Sequence, residues 1–193
     1  MKKRESQNPI SSFILNRWSS RAMTGEEISD DELMALFEAA RWAPSSYNNQ
    51  PWRFVYAKRN SVHWDIFLNL LVPANQVWAK NAAVLVVVIS RTTFEFNNKP
   101  SRTHSFDTGS ALENLALQGS INGFVVHGME GFDYDQARQK LTIPELYSIE
   151  AMFALGKYGN AQELPKKLQD VDFPNDRKPL SEIVFEGIFK SKD

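Results

Sequence analysis

The chain contains no cysteine. That excludes disulfides, thiolate metal centres, cysteine nucleophiles and thiol redox chemistry, and it fits a reducing cytoplasm. An excess of charge is also missing: 22 Lys and Arg stand against 23 Asp and Glu, for a net charge of −1. No block of like charge stands out, so no basic face for nucleic acid is expected. Long apolar runs are absent as well. The longest, Ala82 to Ile89, is far too short to span a bilayer. The basic start Met1-Lys2-Lys3-Arg4 leads into no apolar h-region, because Glu5, Gln7, Asn8, Ser11 and Ser12 interrupt it. A soluble cytoplasmic protein with no membrane partner is the expectation. His63, His104 and His127 lack metal-ligand spacing, so no metal is expected. No GxSxG, Walker P-loop or Gly-rich dinucleotide fingerprint occurs.

What is present is a core. Hydrophobic residues make up 42% of 193 positions, enough for one domain of ordinary size. Ile10 to Asn16 reads as a short helix. Ser29 and Glu32 form a capping-box pattern before Leu33, Leu36, Phe37 and Ala40, which recur at helical spacing, and Pro44 ends that helix. Trp52 to Ala57 reads as a strand and about 62–71 as a helix. The β-branched run Val84 to Ile89 suits a central strand buried on both faces. Arg91 to Thr103 is a polar loop. Asp107 or Thr108 is expected to cap a helix over about 109–121. Phe124 to Val126 and Ile149 to Leu155 read as strands, with a helix from Asp135 to Leu141 between them. After Gly159, Pro165, Pro174 and Pro179 punctuate a tail with little periodicity. Helices alternating with about four strands predict an α+β or α/β layered domain over 1–193, with a C-terminal arm over about 160–193.

Several segments carry more polar chemistry than a fold needs. In the run Ala43 to Trp52, two prolines enclose small polar side chains. That makes a stiff loop suited to gripping the polar edge of a planar heterocycle, although a rigid turn also explains it. Arg17, Ser19 and Arg21 offer two guanidiniums and a hydroxyl within one short stretch, a set able to hold a phosphate in bidentate forks. On spacing alone a solvated basic patch between two helices is the favoured reading. In the stretch from Val126 to Asp133, Gly128 and Gly131 let the backbone approach a ligand closely, or simply turn. Arg177-Lys178-Pro179-Leu180 is a basic turn. The tryptophans, Trp42, Trp52 and Trp78 among them, suit core or interface; Trp78, Phe94, Phe96 and Phe106 are also candidates for a lid.

Taken together and in order, Arg17 to Arg21, Pro44 to Trp52, Asn75, Glu130-Gly131 and Arg177-Lys178 resemble the FMN-dependent nitroreductase family. The resemblance implies an α+β fold with a central, mainly antiparallel sheet flanked by helices, and an intertwined homodimer with FMN at the subunit interface. It implies that this first segment binds the phosphate and ribityl chain, with Arg17 and Ser19 at the phosphate end, Trp18 among the cofactor contacts and Arg21 reaching the pyrimidine side of the ring. Trp18 stands where many members carry a basic residue. Pro44, Ser45, Ser46 and Asn48 are to lie against the isoalloxazine, partly from the partner subunit. Asn75 is to meet the pyrimidine; where some members carry a lysine, this chain has Trp78, with Lys80 two positions on. Met129, Glu130 and Gly131 are to lie near flavin N5, and Arg177 and Lys178 are to close the phosphate site.

The implied activity is ping-pong hydride transfer from NADPH or NADH through FMN to a small acceptor: a nitroaromatic, a quinone or an activated alkene. FMN carries the chemistry, so no catalytic side chain is expected. The alternatives are a specialised relative that uses reduced flavin for dehalogenation or flavin breakdown, a flavin-binding regulatory or storage protein with little turnover, and a structural domain without cofactor.

Overall fold

The computed structural model describes residues 4–190. Met1, Lys2 and Lys3 of the basic start and residues 191–193 of the expected arm lie outside the described residues. In chain order the elements are α1 (Ser12–Asn16), α2 (Asp30–Arg41), β1 (Trp52–Lys58), α3 (Trp64–Leu70), α4 (Pro73–Ala79), β2 (Val84–Arg91), α5 (His104–Ile121), β3 (Phe124–Met129), α6 (Tyr134–Lys140), β4 (Tyr147–Lys157) and α7 (Lys166–Gln169). Among the described residues, no helix is long and apolar enough to cross a membrane.

The sheet runs β1-β2-β4-β3, and every pairing is antiparallel. The protein is α+β, as the resemblance implied. Strand β2 is buried throughout Val84–Ser90, and its alternating side chains feed two layers. Leu85, Val87 and Ile89 pack with Phe67, Trp78 and Met152 on one face. Val84, Val86 and Val88 pack with Leu33, Leu36 and Leu115 on the other. Helix α2 starts with the expected capping box: Ser29 Oγ accepts from Glu32 N–H at 3.2 Å, and the Glu32 carboxylate accepts from Ser29 N–H at 3.0 Å.

Four boundaries differ from the sequence expectation. Helix α5 starts at His104 with Thr103 as its N-cap, so Asp107 closes the first turn, Thr108 follows it, and both are buried rather than capping. The Asp107 carboxylate instead reaches across to another loop. Helix α4 was not expected; Pro73 in its first turn supplies a preset φ where no N–H is required. Strand β3 continues through His127 and Gly128, whose partners Ala154 and Phe153 extend the ladder. Strand β4 begins at Tyr147, opposite Arg91. The 92–103 loop is pinned: Thr92 N–H donates to Leu146 O at 3.0 Å, and Thr93 bridges to Pro100.

The topology separates two of the expected site segments. The loop 44–50 enters β1, and the turn 130–131 leaves β3. Both lie at one end of the sheet, since Trp52 pairs with Ser90 near the end of β2 and Met129 closes β3 opposite Met152, itself opposite Val87. They are on opposite edges, three strand spacings or about 14 Å apart.

Candidate functional site

Arginines from both ends of the chain meet. Arg17 ends α1 as its C-cap, with Nε 3.5 Å from Glu113 Oε1 and a side chain largely covered. Arg177, exposed on the C-terminal segment, donates from Nη1 to Asn175 Oδ1 at 3.0 Å. Between them lies Arg4. Its Nη1 donates to Leu15 O at 3.0 Å and Arg17 O at 2.7 Å, and its Nε donates to Asn175 O at 3.0 Å. Burial, then the nearby charges of Arg177 and Arg17, push the Arg4 guanidinium below the ordinary arginine value. The Trp18 ring faces Tyr158 at 6.3 Å. Burial raises the Tyr158 phenol, while Arg17 and Arg4 pull it back. Like charges gathered this closely favour a dianion among them, so the donor set fits a phosphate ester.

A buried carboxylate fixes the neighbouring segment. Asp172 Oδ2 accepts from Ser20 Oγ at 2.9 Å, and its Oδ1 accepts from Arg21 N–H at 2.7 Å. The Arg21 guanidinium lies 3.8 Å from the same carboxylate and stays partly exposed. Ser20 Oγ also accepts from Ala22 N–H. His127 Nδ1–H donates to Ser20 O at 3.0 Å, and its ring tilts against Trp78 at 4.5 Å. Burial holds His127 below the ordinary imidazole value; the Ser20 hydrogen bond opposes this, Arg21 adds to it and Asp172 counters it. Trp78 is only 1% exposed, so it is a core residue rather than a lid.

Trp78 lies on α4, whose N-terminus carries Asn75. Asn75 Nδ2 donates to Gly131 O at 3.0 Å, and Val72 N–H donates to the same carbonyl at 3.0 Å. A Cβ at position 131 would lie 2.8 Å from Asn75 Nδ2 and 3.0 Å from Val72 Cγ2, so any larger residue would have to push the Asn75 side chain off this contact. Glu130 O accepts from Phe132 N–H at 2.8 Å. Glu130 is exposed, whereas the Met129 side chain is buried in the core. Met129 therefore offers a ligand little but its backbone. Lys80 and Lys178 are exposed.

The proline loop is built elsewhere, from Asp107 on α5 and from the 92–103 loop. Ser46 N–H donates to Asp107 Oδ2 at 3.0 Å, which also accepts from Thr103 Oγ1. Ser45 Oγ accepts from Gln50 N–H at 3.0 Å. Asn49, buried, donates to Thr93 O and accepts from Glu95 N–H. Tyr47, Asn48 and Gln50 hold φ of 53, 54 and 46, a left-handed backbone that this bonding sustains. Tyr47 is 81% exposed and meets Phe94 edge-on at 5.6 Å and Phe96 at 5.9 Å. Tyr47, Gln50 and Phe96 line a shallow cleft of about 360 Å³. Phe106 is exposed on α5.

One protomer thus brings together Arg17, Arg21 and Arg177, and joins Asn75 to Gly131, with Ser20, His127 and Trp78 linking the two groups. It does not bring Pro44, Ser45, Ser46 and Asn48 to Gly131. Sequence reasoning missed Arg4, Ser20, Asp107 and Asp172. Ser20 lay within the recognised motif, but its inward aim leaves no sequence signal. Arg4 and Asp172 are single charges in polar stretches.

Comparison with known proteins finds relatives of this chain. The model of the Nitroreductase family matches residues 14–71. A crystal structure described as an oxidoreductase containing FMN superposes with a TM-score of 0.94 at 43% identity, covering 98% of this chain and 97% of that one. Protein DrgA of Synechocystis is 27% identical over 156 residues, 67% of this chain and 74% of that protein. The oxygen-insensitive NADPH nitroreductase of Helicobacter pylori is 39% identical over 64 residues, 33% of this chain and 30% of that protein.

Proposed function

Since the chain belongs to the nitroreductase family, we propose that it is an FMN-dependent NAD(P)H oxidoreductase acting on small acceptors such as nitroaromatics or quinones. The observation that carries this reading is the convergence of arginines from both chain ends, linked through Ser20, His127 and Trp78 to the Asn75–Gly131 pair.

When bound, FMN supplies the redox chemistry, taking reducing equivalents from NADPH or NADH and passing them to the acceptor. The side chains bind, orient and set charge. Arg17 and Arg177 would hold the phosphate through charge-assisted bonds, with Lys178 at the rim. Ser19 would join them at the phosphate end, with Trp18 beside it. Arg21, partly exposed and partly balanced by Asp172, presents positive charge to the pyrimidine side of the ring. Asn75, its amide fixed on Gly131 O, is aligned for the pyrimidine edge. The N–H groups of Glu130 and Gly131 would serve as donors to the N5 side of the ring. Held by the turn, they need no reorganisation at the moment of reaction. No side chain is required as nucleophile.

The separation of loop 44–50 from the turn 130–131 supports a homodimer. One isoalloxazine is too short to meet both edges of a sheet within one chain, so Pro44, Ser45, Ser46 and Asn48 of a second copy would cover the ring. The C-terminal segment supports the same reading, because Ile183, Val184, Ile188 and Phe189 are all exposed, as an arm laid on a second copy would have them.

The test is an absorbance spectrum of the purified protein, repeated anaerobically after NADPH and after NADH. Flavin bands that bleach with a nucleotide are the expected result. A chain that stays colourless after incubation with FMN overturns the proposal; bands that persist would leave a binding protein in place of a reductase.

A further inference from the structure

We propose that Arg4 is a positioning residue of the phosphate site, a fork that ties the segment carrying Arg17 to the segment carrying Arg177. The inference rests on the FMN reading above and goes beyond it, because the family motifs begin at Arg17.

Three observations carry it. Arg4 makes its short hydrogen bonds to backbone carbonyls on both segments: Leu15 O and Arg17 O on one, Asn175 O on the other. Elsewhere the two segments are tied at Asp172, which accepts from Ser20 Oγ and Arg21 N–H, and Arg4 spans the stretch between Arg17 and Asn175. Helix α1 buries none of its residues, and Arg177 is exposed, its hydrogen bonds among the described residues going to the adjacent Asn175 and Asp176. Arg177 and Arg17 also each repel the Arg4 guanidinium, with Asp176 partly countering them. Carbonyl acceptors facing Arg4 offset that repulsion from one side; a bound dianion would offset it from the other.

The chemistry needs arginine here. A guanidinium presents donors in a planar fork and spans carbonyls from two chain segments at once. A lysine ammonium is a point charge on a flexible stem and cannot hold the same three acceptors in register. With its donors used on carbonyls, Arg4 contributes alignment of Arg17 and Arg177 and a local field, not direct phosphate bonds. The flavin ring end is fixed separately by Asp172, through Ser20 and Arg21.

The test uses full-length chain freed of flavin and compares two ligands that differ only in the phosphate, FMN and riboflavin. Affinities are read from quenching of flavin fluorescence. Arg4→Ala is expected to raise the FMN Kd about 10-fold or more while leaving riboflavin affinity unchanged, and Arg4→Lys is expected to behave like Arg4→Ala. Unchanged FMN affinity in Arg4→Ala overturns the proposal. So does an equal loss for both ligands, which would mean general loosening, and so does full FMN affinity in Arg4→Lys, which would leave charge alone at work. A wild-type chain that binds neither flavin would instead remove the FMN reading, and this proposal with it.

Discussion

Ser20 Oγ and Asp172 Oδ2 lie 2.9 Å apart although 152 positions separate them in the chain, and the Asp172 side chain is fully buried. This contact holds the arginine-bearing N-terminal segment against the start of the C-terminal one. Asp172→Ala would strand the Ser20 hydroxyl and the Arg21 N–H without their acceptor, at a cost of about 2–4 kcal/mol. Asp172→Asn, which retains an acceptor oxygen, should lose less. Urea unfolding decides it, and an alanine variant as stable as wild type would mean that the contact contributes nothing.

Removing Arg17 and Arg177 together should release FMN. Each makes charge-assisted bonds in the proposed site, and two such losses correspond to about 100-fold or more in affinity. Flavin content after gel filtration is the readout. Stoichiometric FMN in the double alanine variant would refute the phosphate assignment.

Gly131→Ala should separate α4 from the turn that follows β3. The added methyl would sit 2.8 Å from Asn75 Nδ2, so the Asn75–Gly131 hydrogen bond must break or the helix must shift, costing about 1–3 kcal/mol. Both a lower melting temperature and reduced flavin affinity are expected. A variant that kept both would show that the turn yields easily.

His127 should make stability depend on pH in the weakly acidic range. Burial holds its folded-state pKa below the ordinary 6.5, so the unfolded chain takes up a proton first as pH falls. The contribution is complete above 6.5 and declines as pH drops from there toward the folded-state value. Melting temperatures between about pH 7.5 and about pH 5 should fall more steeply for wild type than for His127→Phe. Loss of the Ser20 hydrogen bond lowers the variant at every pH, so the slope is the quantity to compare. Parallel profiles would exclude His127 as the titrating group.

The fold was legible where local chemistry and burial agree. Val84 to Ile89 could hardly be anything but a buried strand, and Ser29 with Glu32 marked the start of α2. Helix α4 was not legible: it is short, lacks a side-chain N-cap and buries only Trp78 and Ala79. His127 and Gly128 read as breaks, yet pairing with β4 carries β3 through them. In the site, the contact of Asn75 with Gly131 joins two residues that the motif pattern had singled out. The grip of Asp107 on Ser46 spans 61 positions and that of Arg4 on Asn175 spans 171. Contacts at such separations leave no periodicity, cap or spacing to read; only the folded path supplies them.

The placement of the proline loop and the Glu130-Gly131 turn on opposite edges of one sheet makes the proposed activity divisible. A variant disabled in the loop and another disabled in the turn should each be inactive alone. Mixed under conditions that exchange subunits, they should complement: every mixed pair joins the sound loop of one chain to the sound turn of the other, restoring one working centre and leaving its twin dead.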